Sequence, residues 1–89
     1  DYDMSYLFFD CKNLLSVKAK WDITNVSYID HFFENCINLN EISGISNWNL
    51  NNITDINSMF SKCKRLEFLP DISNWNTSKI SIYFFIVNH

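Results

Sequence analysis

The sequence has little of what several common protein classes need. It contains one glycine and one proline in 89 residues, which argues against a sheet protein built from tight hairpins, because those turns depend on both residue types. Its longest apolar stretch, 80–87, is interrupted by Ser81 and is far shorter than the roughly 20 residues that a membrane-spanning helix needs. No charged-then-apolar leader indicates a signal peptide. We expect residues 1–89 to be a single fragment of a longer repeat array, with no membrane span in this segment.

The residues that usually carry chemistry are also scarce. A net charge of −3 with interspersed acids and bases excludes the basic footprint of a nucleic-acid binder. One glycine cannot form a phosphate-binding loop, and the cysteines lack the close pairs typical of zinc sites. Neither His31 nor His89 has a nucleophile or carboxylate at a spacing that suggests a catalytic triad, so an enzyme using a pair such as Cys36 and His31 is the weakest alternative. We expect no catalytic activity, no cofactor and no metal.

What the sequence does have is a repeat. Trp21, Trp48 and Trp75 recur every 27 residues, and Cys11, Cys36 and Cys63 at intervals of 25 and 27. A phenylalanine stands three residues before each cysteine and a leucine three residues after it. Self-similarity at such a period is typical of stacked repeat proteins. We divide the chain into copies at approximately 1–25, 26–52 and 53–79, with a partial fourth copy over 80–89.

Each copy contains two different apolar periods. Val26, Ile29, Phe33 and Cys36 lie at i, i+3, i+7 and i+10, a spacing that predicts one face of a short helix. Asn25, just before this run, and Asn52, just before the next, are suitable helix N-caps. After each cysteine the apolar residues recur every third position, which favours an extended segment with a very short strand. The pattern predicts an α/β solenoid of about three short helix plus short strand repeats of 25–27 residues, with strands paired in parallel.

The register separates core from surface. The cysteines are interpreted as small apolar residues without disulfides. The tryptophans are interpreted as core residues, although a carbohydrate or peptide platform is the alternative use of such a stripe. The polar slots between them are the candidate partner-facing residues: Glu41, Ser43, Ser46, Glu67, Phe68 and Ser73. Asn25, Asn52 and Asn76 begin N-glycosylation sequons and are candidate modification sites, with helix capping as the competing role of the first two.

The run NITDINSMFSKCKRLEFLPDISNWNTS at 52–78, and the second copy beginning NVSYIDHFFENC, resemble the BspA-like bacterial surface-protein repeat. That family is a leucine-rich-repeat relative found in mycoplasma surface lipoproteins. The resemblance implies a leucine-rich-repeat-like solenoid at the cell surface or in the extracellular space. It also implies a non-enzymatic role in adhesion or in binding a protein or other macromolecular ligand. The alternative is an intracellular leucine-rich-repeat scaffold for protein–protein interaction.

Overall fold

Very short strands provide the regular structure of residues 2–66 and Trp75, which are the residues that the computed structural model describes. In chain order the elements are β1 (Tyr2–Asp3), β2 (Ser16–Lys18), β3 (Val26–Tyr28), β4 (Glu41–Ser43) and a 3₁₀-helix over Ile45–Asn47. Strands β1 and β3 form one two-stranded parallel sheet, and β2 and β4 form another. Each sheet therefore joins the first copy of the repeat to the second.

The predicted helices are absent from the described residues, which form consecutive turns instead. In the first copy the N–H groups of Leu7, Phe9 and Cys11 each donate to the carbonyl three residues earlier, at 3.1–3.3 Å. The intervening N–H groups of Met4, Tyr6, Phe8 and Asp10 donate at 2.8–3.0 Å to the second copy, where Tyr28, Asp30, Phe32 and Glu34 accept. An amide committed to a neighbouring copy cannot close a bond to the residue four earlier, so no α-helix forms.

The second copy repeats this arrangement against the third. The N–H groups of Ile29, His31, Phe33 and Asn35 donate at 2.8–3.1 Å to the carbonyls of Asp55, Asn57, Met59 and Ser61. Left-handed backbone occurs at equivalent positions of all three copies, with φ of 55–65° at Tyr6, His31 and Ser58 and at Asp10, Asn35 and Lys62. A left-handed residue ends right-handed helical geometry. Its recurrence explains why the apolar spacing of a helix produces turns here.

The N-cap role predicted for Asn25 and Asn52 is wrong for the same reason. Val26, predicted as the first helical residue, lies in strand β3. The Asn25 carbonyl accepts the Tyr2 N–H at 3.1 Å, and the Asn52 side chain donates to the Thr24 carbonyl at 2.6 Å. Both asparagines thus join neighbouring copies and have no helix terminus to cap.

The predicted α/β solenoid of helix plus strand repeats is therefore wrong. Residues 2–66 and Trp75 contain no α-helix, and their strands form two separate two-stranded sheets in a small globule. The apolar register still marks the interior. The buried core includes Phe32, Phe33, Leu39, Ile56 and Met59, each of which is 0% exposed. Equivalent rings contact one another: Phe8 stacks on Phe33 at 5.5 Å, and Phe33 on Phe60 at 5.8 Å.

Candidate functional site

The outward side of the β2–β4 sheet carries two of the predicted partner-facing residues, Glu41 and Ser43. The parallel register pairs Ser16 with Glu41, Val17 with Ile42 and Lys18 with Ser43. Because side chains alternate along a strand, Val17 and Ile42 turn towards the core. The other four side chains, of Ser16, Lys18, Glu41 and Ser43, are exposed, and we call them the strand face.

Hydrogen bonds beyond both ends of the sheet hold the strand face in place. The Asn40 N–H donates to the Leu15 carbonyl at 3.0 Å, and the Ala19 N–H to the Ser43 carbonyl at 2.7 Å. The Trp48 indole N–H donates to the Ala19 carbonyl at 2.7 Å. A buried tryptophan therefore anchors the end of β2, which orients the strand face relative to the core.

Only some of the predicted partner-facing residues lie on the strand face. Glu41 and Ser43 are exposed on β4, whereas Ser46 is half-buried within the 3₁₀-helix. Glu67, Phe68 and Ser73 lie outside the described residues. Ser16 and Lys18 complete the strand face and were not predicted, although their exposure on either side of the buried Val17 follows from strand alternation.

The candidate glycosylation sites are exposed where the structure describes them. Asn25 and Asn52 are exposed, and Asn76 lies outside the described residues. The amide nitrogen of Asn52 donates one of its two hydrogens to the Thr24 carbonyl, which leaves the other hydrogen for attachment of a glycan. No comparable side-chain bond engages Asn25 among residues 2–66 and Trp75.

The cysteines are free thiols in a protected setting. Cys36 is buried, whereas Cys11 and Cys63 are half-buried. The Cys36 Sγ–H donates to the Phe8 carbonyl and the Cys63 Sγ–H to the Phe33 carbonyl, each at 3.1 Å. Burial raises the pKa of the Cys36 thiol to about 11 and that of Cys63 to about 12. Thiolate, the nucleophilic form, is therefore scarce at neutral pH in both residues.

His31 has partners other than Cys36. Its Nδ1 contacts the Glu34 carboxylate, and its ring stacks on that of Tyr6 at 4.6 Å. The thiol of Cys36 is directed to the Phe8 carbonyl. The described contacts thus give His31 an orienting carboxylate and no nucleophile.

Two further site types have no support within the described part of the chain. There, no group of three or more histidine, cysteine, aspartate or glutamate residues could hold a metal ion. The same residues include no helix that is long and apolar enough to cross a membrane.

A polar groove beside the β1–β3 sheet was missed by the sequence reasoning. Its lining consists of Tyr2, Asn25, Ser27, Tyr28, Asn52 and Thr54. In the sequence the asparagines are recognisable only as helix caps or sequons. The tyrosines do not recur at the equivalent positions of the other copies. A signal was nevertheless present, since Asn25-Val-Ser27 and Asn52-Ile-Thr54 occupy equivalent positions in adjacent copies and therefore lie side by side.

Comparison with known proteins identifies the family. A family model described as "Mycoplasma protein of unknown function, DUF285" matches residues 2–87, nearly the whole chain. No curated protein and no solved structure matches the chain. The repeat register and the parallel pairing of copies agree with this match, and the chain belongs to the DUF285 family of Mycoplasma proteins of unknown function.

Proposed function

We propose that this chain is a non-enzymatic module of a BspA-like surface protein and binds another protein through the strand face. The observation that carries the proposal is the outward presentation of Ser16, Lys18, Glu41 and Ser43 on a parallel sheet whose inward residues are packed in the core. A fixed polar face with charges of both signs is suited to a complementary partner surface, because such charges steer and orient association. The partner is a protein exposed outside the cell.

Two further points support a surface role over a catalytic one. The repeat residues resemble those of BspA-like surface proteins, and the family match is to a Mycoplasma family. The thiols of Cys36 and Cys63 are hydrogen bonded to carbonyls with raised pKa values. Those contacts suit packing and do not suit nucleophilic catalysis.

The test is a binding screen of the purified chain against extracellular-matrix proteins, using biolayer interferometry. Two charge reversals, Lys18→Glu and Lys64→Glu, change the net charge equally. Lys18 lies on the strand face, whereas Lys64 is exposed in the turn after Cys63. We expect Lys18→Glu to weaken binding at least about tenfold, a loss of about 1.4 kcal/mol, and Lys64→Glu to leave it nearly unchanged.

Equal losses in both variants would show that bulk charge, and not the strand face, controls binding. A chain that binds none of the matrix proteins would contradict the proposed adhesion. The location is tested separately by protease treatment of intact cells that produce the full protein. Cleavage of this chain without cell lysis is expected, and complete protection would overturn the surface assignment.

A further inference from the structure

The groove beside the β1–β3 sheet is a second surface, distinct from the strand face. Its volume is about 640 Å³, within the roughly 300–1,000 Å³ of small-molecule sites. Strand β1 supplies Tyr2, and β3 supplies Ser27 and Tyr28. Asn25 precedes β3, and the equivalent segment at the junction of the second and third copies supplies Asn52 and Thr54. Three successive copies therefore build one groove.

The backbone of these segments is already engaged in holding the copies together. The Tyr2 N–H donates to the Asn25 carbonyl at 3.1 Å, and the Thr54 N–H to the Ser27 carbonyl at 2.8 Å. The Thr54 hydroxyl donates to the same Ser27 carbonyl at 3.2 Å. An extended peptide that adds to a sheet needs free main-chain donors and acceptors, and these particular groups are already engaged between copies.

The side chains offer a different chemistry. Tyr2 is 64% exposed and Tyr28 is 40% exposed, so a large part of each of these two lining residues is in contact with solvent. Among the described residues no hydrogen bond engages the side-chain amide of Asn25. The Asn52 side chain donates through its nitrogen to the Thr24 carbonyl, and its oxygen remains available as an acceptor. The lining thus combines aromatic faces with amides and hydroxyls.

Charge also restricts the ligand. The groove lining contains no aspartate, glutamate, lysine, arginine or histidine. Carboxylates lie nearby, since Asp3 and Asp55 are the backbone partners of the lining residue Tyr28 in the parallel register. Those negative charges disfavour an anionic ligand and leave a neutral one unaffected.

We propose that this groove binds a neutral oligosaccharide, with Tyr2 and Tyr28 as stacking platforms and Asn25, Ser27 and Asn52 as hydrogen-bonding partners. Sugars present apolar C–H faces and many hydroxyl groups, and rings with nearby amides and hydroxyls match both features. The proposal does not depend on the strand face, which belongs to the other sheet. It assigns the aromatic platform to exposed tyrosines, whereas Trp48 and Trp75 are buried.

The experiment uses the whole chain produced in a bacterial host, so that Asn25 and Asn52 carry no eukaryotic glycan. ¹⁵N-labelled protein is titrated with chitotetraose, maltotetraose and N-acetyllactosamine as neutral probes, and with a sialylated and a sulfated oligosaccharide as anionic probes. We expect at least one neutral probe to shift the amide resonances of Tyr2, Ser27 and Tyr28. The anionic probes are expected to bind more weakly.

Matched tyrosine variants locate the site. Tyr28→Ala is expected to weaken binding of the neutral probe at least about tenfold. Tyr6→Ala removes a tyrosine that is 53% exposed and does not line the groove, so binding should be retained. If Tyr28→Ala unfolds, Tyr2→Ala decides, because Tyr2 lies at the exposed end of the first copy and its removal leaves the core intact.

Three results would overturn the proposal. The first is the absence of binding to every neutral probe, and the second is binding that survives both Tyr2→Ala and Tyr28→Ala. The third is a preference for the anionic probes or for an extended peptide run as a competitor. None of these results bears on the strand face, because the matrix-protein assay tests residues of the other sheet.

Discussion

Gly44 is the residue at which backbone geometry and space are both demanding. Its φ is +90°, and a Cβ built there would lie 2.7 Å from Lys20 Cγ and 3.1 Å from the Ala19 carbonyl carbon. Gly44 also immediately precedes the 3₁₀-helix that leads to Trp48. The single glycine of the chain therefore stands where a side chain would be both strained and obstructed.

Gly44→Ala is expected to lower the free energy of unfolding by about 2 kcal/mol, because left-handed backbone costs a residue with a Cβ roughly 1–2 kcal/mol and the close contacts add to it. Chemical denaturation monitored by tryptophan fluorescence measures this. Asn47→Ala, at an exposed position three residues later, serves as the control and should change stability by less than about 0.5 kcal/mol. Equal effects of the two changes would show that Gly44 has no special geometry.

At the scale of an element, the turn segments replace the helices that the apolar spacing predicts. Each turn segment contains left-handed residues at two equivalent positions, and the second of these holds Asp10, Asn35 and Lys62. Aspartate and asparagine tolerate this conformation better than most residues. Lysine does not share that tolerance, so Lys62 is the strained member of the set.

Lys62→Gly is therefore expected to raise the stability of the protein by up to about 1 kcal/mol, since relief of the left-handed strain exceeds the added entropy of glycine in the unfolded chain. Lys64→Gly is the control, because Lys64 is also exposed but is not among the residues with positive φ. It should lose about 0.5–1 kcal/mol. Thermal unfolding of both variants tests the turn directly, since a helix over this segment would make both changes destabilising.

At the scale of the whole molecule, the tryptophans link all three copies. The rings of Trp21 and Trp48 lie 6.2 Å apart, and those of Trp48 and Trp75 lie 6.0 Å apart and nearly parallel. Trp48 donates to the Ala19 carbonyl, and Trp75 to the Ile45 carbonyl, each at 2.7 Å. Trp48 is 5% exposed, whereas Trp21 is 38% exposed. Trp48 therefore contributes more buried apolar surface to stability than Trp21 does.

Trp48→Ala should cost about 3–5 kcal/mol, the range for removal of a large buried aromatic side chain. Trp21→Ala should cost clearly less, because part of its ring is already in water. Urea denaturation followed by far-ultraviolet circular dichroism compares the two without relying on the fluorescence of the deleted residue. Finding that Trp21→Ala is as harmful as Trp48→Ala would contradict an energetic role set by burial between neighbouring copies.

The candidate surfaces were only partly accessible to sequence reasoning. Glu41 and Ser43 were predicted to face a partner, and both are exposed on β4. Tyr2 and Tyr28 were not singled out, because no repeat position distinguishes them from other aromatic residues. Their place beside Asn25 and Asn52 depends on parallel pairing with a register shift between Tyr2 and Asp3, which no local pattern encodes.

The sequence by itself determined which residues are equivalent, because the same residue types recur at one interval, and it indicated most of the residues that form the core. It also determined the parallel arrangement, since copies joined head to tail in the same order pair in the same direction. Only the tertiary structure decided between helix and turn. The spacing of Val26, Ile29 and Phe33 suits both, and the choice depends on whether each amide bonds within its own copy or to the neighbouring one. Here every second amide of the first two turn segments bonds to the following copy, which excludes a helix there and places the groove residues of adjacent copies side by side.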